Sequence, residues 1–356
     1  MNFPIEVQDI TPTWLTAALH DHGVLPDLEI SSIETQLIGA ESGFLSRVAR
    51  VTVQYSSPQN DAPSTMVVKL PPPPDPGQDQ ADDLHPFARE INFYREVAPT
   101  APLRIPQIYG IPEVSDSSAL IMEDLNGCRM GDQVKGLHTE QVKLAARSIA
   151  RLQARYWNNA ALDTLDWMPF GNHIEVNFST RWPDFIGYYG GDLPPAAVQI
   201  GERLCEDVPK LFERIDARPK TIVHQDLRAD NMAFFDDEAG KEDIVIFDWQ
   251  IAVRSMGAFD IARLLGGSEL PEERQGHQLE ILQAWHRALI DEGITDYTEA
   301  EAVHDFRLGT LAALCYPVHF FGELPSAETR TAQLFRAIAS RLFRSAVEID
   351  AISSLD

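Results

Sequence analysis

Cysteine is scarce in this chain of 356 residues, with Cys128, Cys205 and Cys315 scattered and odd in number. No pairing of close cysteines suggests a disulfide framework or a zinc site, so a reducing compartment is the expectation. Basic residues are also few, 29 against 54 acidic ones, for a formal net charge of −25. A surface that acidic repels phosphate backbones and anionic lipid, which argues against nucleic acid and membrane surfaces as partners. It tolerates a cationic small molecule, although acidity also serves solubility alone. No apolar run is long enough to cross a bilayer, and Met1 to Ile10 show neither a basic nor an apolar leader pattern. A soluble cytoplasmic protein is the expectation, with no obligate protein partner evident.

What remains is ordinary globular composition, 44% hydrophobic and 23% charged, in a length that suggests two lobes. After a short helical opening at Thr11, alternating β-branched residues predict strands over Ser31–Ile38 and Arg47–Tyr55, flanking the turn Gly39-Ala-Glu-Ser-Gly43. Thr65–Leu70 reads as a short buried strand ending in Lys69. Pro71-Pro-Pro-Pro-Asp-Pro-Gly77 excludes helix and central strand and marks a loop. Helix is expected near His85–Val97, then two strands within 107–123. Beyond, 138–158, 194–217, 273–292 and 299–356 carry helical periodicity, interrupted by the strand-rich stretch Thr221–Gln250. A β-rich part over 1–122, a junction at 123–127 and a larger helical part over 128–356 follow.

The strongest chemical signal is Val223-His224-Gln225-Asp226-Leu227-Arg228-Ala229-Asp230-Asn231. It fits the catalytic-loop pattern of His, one residue, Asp, Leu, three residues, Asn. In that pattern Asp226 accepts a hydrogen bond from a substrate hydroxyl and takes its proton. Asn231 turns back to hold magnesium through its amide oxygen, and Arg228 is placed to face a transferring phosphoryl group. His224 is expected as a buried scaffold residue. A second signal comes 22 residues after Asp226, where the apolar strand Glu242–Phe247 delivers Asp248. Magnesium takes one or two protein carboxylates or amides besides phosphate oxygens, so Asp248 with Asn231 suffices. Third, a lysine ending a buried strand needs a partner. Glu90, on the apolar face of Phe87-Ala-Arg-Glu-Ile-Asn-Phe-Tyr94, suits Lys69.

Weaker elements complete the set. Ser42, Gly43 and Ser46 lie in a loop that lacks the full Gly-x-Gly-x-x-Gly form but can offer amides and a hydroxyl to phosphates. Glu123 and Leu125 lie where adenine would meet backbone groups of a hinge. Asp260 is expected to brace the catalytic loop near a helix start. Trp182, Phe185, Tyr188, Tyr189, Tyr316, Phe320 and Phe321 are core by their spacing, or the lining of an apolar pocket for a bulky alcohol.

These residues resemble the choline/aminoglycoside kinase-like phosphotransferase superfamily, and most of all its ecdysteroid-kinase-like group with bacterial relatives. The likeness runs through Ile38-Gly39 to Gly43-Phe44, Arg50-Val51, Val68-Lys69, Glu90 to Tyr94, Glu123-Asp124-Leu125, Gly131-Asp-Gln-Val, His224 to Asn231 and Asp248-Trp-Gln250. The resemblance implies an α+β, bilobal protein-kinase-like fold with a small β-rich N-lobe and a large, mainly helical C-lobe. It also implies ATP or another nucleoside triphosphate, magnesium, and a small-molecule alcohol as acceptor. Asp-Trp-Gln in place of Asp-Phe-Gly points away from protein phosphorylation. The alternative is a nucleotide-binding pseudokinase acting as a regulatory module; a metal-dependent hydrolase lacks a second histidine in ligand spacing.

Overall fold

A computed structural model describes residues 3–38, 47–57, 62–72, 85–114, 117–171, 178–320 and 329–356. The chain is mixed α and β and divides into two compact units. The first holds Met1–Arg129 together with Ile246–Gln250, and the second holds Met130–Val245 with Ile251–Asp356. Asp248 therefore packs with the first unit, although it lies far along the chain.

The first unit is built on a five-stranded sheet in the order β1-β2-β3-β7-β4. The members are β1 (Ile30–Ile38), β2 (Arg47–Tyr55), β3 (Thr65–Leu70), β4 (Ile108–Gly110) and β7 (Leu120–Glu123); a small ribbon of β5 (Glu113–Val114) and β6 (Ser117–Ser118) hangs off it. Alternation sets the faces. Ala49, Val51 and Val53 of β2 and Met66, Val68 and Leu70 of β3 enter one core with Trp14, Leu15, Ala18 and Leu19 of α1 (Pro12–Asp21). Lys69 has the opposite parity, so the pleat that buries Val68 and Leu70 turns the lysine to the other face. There α2 (Pro86–Asn92) begins with His85 accepting from the Phe87 N–H and Pro86 at the first helical position. It buries Phe87, Glu90 and Ile91 and runs into a π-helical turn, Phe93–Val97.

In the second unit, apart from the border residues Arg129 and Ile246, β8 (Arg129–Met130) lies beside the hairpin of β10 (Met232–Asp236) and β11 (Glu242–Ile246), and β9 (Thr221–Val223) pairs antiparallel with β12 (Val253–Ser255). Around these lie α3 (Thr139–Tyr156), α4 (Phe178–Tyr189), α5 (Pro195–Asp216), α6 (Ala258–Ile261), α7 (Pro271–Arg274), α8 (Gln278–Asp291), α9 (Glu299–His319) and α10 (Arg330–Glu348). Helix α3 packs on α8, and α6 on α9. Among the described residues, the periodic run expected over 299–356 is two helices and a terminal 3-10 turn, Ala351–Leu355. Thr298 caps the first helix in a reciprocal box with Glu301, and the Thr329 hydroxyl starts the second by accepting from the Ala332 N–H. Likewise 273–292 begins as the short α7 before α8. Helix α4 has no counterpart in the sequence reading, because Pro183 and Gly187 dilute its pattern. Four of its aromatics, Phe178, Trp182, Phe185 and Tyr189, are core: Trp182 stacks between Phe178 and Phe185, and Phe343 of α10 joins them. Tyr188 is exposed, and Phe321 lies outside the described residues.

Candidate active site

Within the first unit, β3, α2 and the segment 246–250 bring three charged groups together. The Lys69 ammonium lies 2.5 Å from Glu90 Oε2 and 3.0 Å from Asp248 Oδ1. The lysine and the glutamate are buried, while the Asp248 side chain keeps 23% of its exposure. Burial works against the Lys69 charge, yet the two carboxylates outweigh it and hold its pKa above the ordinary lysine value. Glu90 moves up to about 7, because burial and the nearby Asp248 exceed the opposing pull of Lys69. Two carboxylates on one ammonium leave a surplus negative charge when all three are ionised.

Asp248 is held in an unusual way. Its φ of +69° lies in the left-handed region, where a non-glycine residue is strained. Trp249, fully buried, stacks on Phe93 of the π-helical turn with ring centroids 4.0 Å apart and planes within 6°. The Trp249 indole thus anchors the residue after the aspartate, and Gln250 donates from Nε2 to Asp248 Oδ2 at 3.2 Å. That is the structural content of the Asp-Trp-Gln ending. Glu123 spends its carboxylate on Arg104, at 2.5 and 2.6 Å, and on the Gln107 N–H. Leu125 is buried at the start of a 3-10 turn. Ser42, Gly43 and Ser46 lie outside the described residues.

The second unit holds the motif residues His224 to Asn231. Buried strand β9 leads into His224, which is fully buried, and Gln225, whose φ is +69°. Asp260 of α6 clamps this bend: its Oδ2 and Oδ1 accept from the backbone N–H groups of His224 and Gln225, both at 2.9 Å. Gln153 of α3 donates to the same carboxylate at 3.1 Å. Burial outweighs these donors and lifts the Asp260 carboxyl to about 7. Asp260 braces the loop, as its place in the sequence suggests.

Asp226 follows with both oxygens engaged. Oδ2 accepts from Arg228 Nε at 2.9 Å and from Asn231 Nδ2 at 3.0 Å, and Oδ1 accepts from an Arg263 Nη at 2.5 Å. Burial raises the Asp226 carboxyl, but the Arg228 and Arg263 guanidinium groups prevail and hold it far below the usual carboxylate range. Arg228 also bonds Asp230 at 2.6 Å, so it lies between two carboxylates of its own loop. Asn231 turns back toward Asp226, giving its amide N–H₂ to the Asp226 carbonyl and carboxylate.

Residues that motif reading passed over complete the loop. Gln133 accepts the Ala229 N–H at 2.8 Å with its side chain, gives its own N–H to Asp230 at 2.8 Å, and donates to the Gly267 carbonyl at 2.6 Å. Arg330, opening α10, reaches Asp230 at 3.1 Å. Gly131 comes so close that a Cβ there would stand 2.1 Å from the Ala229 carbonyl oxygen. Gly131-Asp-Gln-Val is one of the stretches carrying the family resemblance, which was the available signal; Arg263 and Arg330 had none.

No curated protein matches the sequence significantly. Among solved structures, an ethanolamine kinase of Plasmodium vivax superposes with a TM-score of 0.50 at 13% identity, covering 94% of this chain and 89% of that one. A microcompartment-associated aminopropanol kinase gives 0.52 at 14% identity, covering 97% and 99%. Both likenesses show a kinase-like fold. The family model described as the phosphotransferase enzyme family matches residues 37–302, about three-quarters of the chain and a span that contains both residue groups above. The chain is an enzyme that belongs to this phosphotransferase family.

Proposed function

We propose that the chain transfers the γ-phosphoryl group of ATP, or of another nucleoside triphosphate, to a hydroxyl of a small molecule. The observation that carries this reading is the Lys69–Glu90–Asp248 cluster. One ammonium between two carboxylates holds a surplus negative charge that a magnesium ion would offset, leaving Lys69 to meet the phosphate oxygens of a nucleotide and Asp248 to hold the metal. Magnesium suits the donors: the Asp248 carboxylate and the Asn231 amide oxygen are hard ligands, and the Asn231 nitrogen is already committed to Asp226. Among the described residues no three acidic, histidine or cysteine side chains gather around a metal by themselves. That fits an ion held jointly with nucleotide phosphates, which when bound neutralises charge on their oxygens.

Asp226 receives the acceptor hydroxyl. As the acceptor oxygen bonds to phosphorus, the bond from phosphorus to the β–γ bridging oxygen breaks, and the nucleoside diphosphate leaves with that electron pair. The acceptor proton passes to Asp226. A carboxylate held at such low basicity accepts the proton late, which suits a loose transition state in which positioning matters more than base strength. Arg228, fixed between Asp226 and Asp230, neutralises the loop beside the reacting oxygens. Backbone groups at Glu123 and Leu125 take the adenine. The two compared kinases are named for ethanolamine and aminopropanol, which supports a small acceptor alcohol. The buried aromatic stack of α4 no longer argues for a bulky one. An ATP-consumption screen across an alcohol library, with Asp226→Ala as the blank, tests this reading. Acceptor-dependent ADP release in the wild type alone is the expected result, and equal release by Asp226→Ala would overturn it.

A further inference from the structure

If Asp226 receives the acceptor hydroxyl, as the kinase reading holds, its existing hydrogen bonds decide where that hydroxyl can lie. A carboxylate offers about four lone-pair positions over its two oxygens. Oδ2 already takes two donors, from Arg228 and Asn231. Among the described residues Oδ1 takes one, from Arg263. The acceptor hydroxyl therefore meets Oδ1, the oxygen whose place Arg263 sets.

Arg263 is itself closely fixed. Its side chain is only 6% exposed, and its guanidinium lies 4.6 Å above the centre of the Tyr316 ring. The Tyr316 hydroxyl in turn accepts from Gln225 Nε2, and Gln225 is the strained residue that Asp260 clamps. The chain of contacts Asp226–Arg263–Tyr316–Gln225 thus closes on the catalytic loop from α9 and from the segment after α6. Arg263 also belongs to a π-helical turn, Ala262–Gly266. Such wide turns are rare and frequently occur at functional sites. Here the turn carries the one side chain that reaches Oδ1 among the described residues.

We propose that Arg263 is a positioning residue for phosphoryl transfer: it fixes Oδ1 of Asp226 where the acceptor hydroxyl donates, with the Tyr316 ring as its platform. Arg263 acts through Asp226 and leaves nucleotide binding to Lys69 and Asp248. Removing it lowers kcat and spares KM for the nucleotide, whereas a scaffold residue would show as lost folded protein.

The test measures kcat and KM for ATP turnover with magnesium and water as phosphoryl acceptor, alongside the melting temperature, in Arg263→Met, Arg263→Lys and Tyr316→Leu. Arg263→Met should lose about 100-fold in kcat with KM within about twofold, the pattern of an interaction used in the transition state. Arg263→Lys should recover about tenfold of that loss, because it restores the charge without the forked reach. Tyr316→Leu should fall between wild type and Arg263→Met. Equal kcat for the Lys and Met variants, or a KM that rises in step with the fall in kcat, would overturn the assignment. Should Arg263→Met not fold, Tyr316→Leu decides: lowered kcat with KM kept supports the role, and wild-type kcat overturns it. A wild-type protein that turns over no ATP with water or with any alcohol of the library would instead sink the kinase reading, and this inference with it.

Discussion

Lys69 is the residue whose environment is most demanding. A buried ammonium is tolerated because Glu90 and Asp248 flank it at 2.5 and 3.0 Å, so its removal strands two carboxylates rather than one. Breaking a buried ion pair from one side costs about 3–5 kcal/mol. Lys69→Met should accordingly lower unfolding free energy by about 3 kcal/mol in urea denaturation, and adding Glu90→Gln should restore part of it. A double variant no more stable than Lys69→Met would show that the two acids do not share the lysine. Asp260 makes a different prediction, about pH. Its carboxyl ionises near 3.9 when unfolded and at about 7 in the fold. Between those values the folded chain keeps a proton that the unfolded chain has lost, so this group's contribution to stability falls as pH rises and levels off above about 7. Asp260→Asn cannot titrate. The stability of wild type relative to that variant should decline from pH 4 to pH 7, by a few kcal/mol on the order-of-magnitude scale of a buried carboxyl. A difference that stays flat or grows over that window would contradict the assignment.

At the scale of elements, the loop from His224 to Asn231 is held by pieces that lie outside it. Gly131, next to β8, passes against the Ala229 carbonyl with no room for a methyl group. Gly131→Ala must move backbone on one side or the other. A cost of about 1–3 kcal/mol is expected for such overpacking, together with a kcat loss of at least about tenfold, since the displaced residue lies between Asp226 and Asn231. Gly201→Ala is the control: its Cβ would stand 2.1 Å from the Trp182 ring, which should lower the melting temperature comparably while kcat of the folded fraction stays near wild type. Strand β2 was legible from alternation, because one face is core and the other is not, whereas β3 was legible as a short buried run ending in a lysine. The long helical run after residue 299 was not, since periodicity says nothing about where a helix stops and its caps are single residues. Helix α4 was hidden by Pro183, which the fold accommodates.

Over the whole chain, what could be read in advance was what the chemistry fixes in spacing. Asp226, Asn231 and Asp248 stand at intervals set by a loop and a hairpin, and Lys69 with Glu90 follows from a buried charge needing a partner. Gln133, Arg263 and Arg330 reach the loop from segments at varied distances along the chain, so no local pattern announces them. The acidic balance of −25 bears on partners and leaves the reaction open, whereas the family match over residues 37–302 establishes phosphoryl-transfer enzymology. The central claim is that Asp226 serves the transfer step while Asp248 serves the nucleotide, and calorimetric titration of Mg·ATP beside ATP turnover tests it most directly. Asp226→Ala should bind Mg·ATP within about threefold of wild type and lose turnover by at least about 1,000-fold, and Asp248→Ala should lose the binding itself. Wild-type turnover by Asp226→Ala, or undiminished Mg·ATP binding by Asp248→Ala, would contradict it.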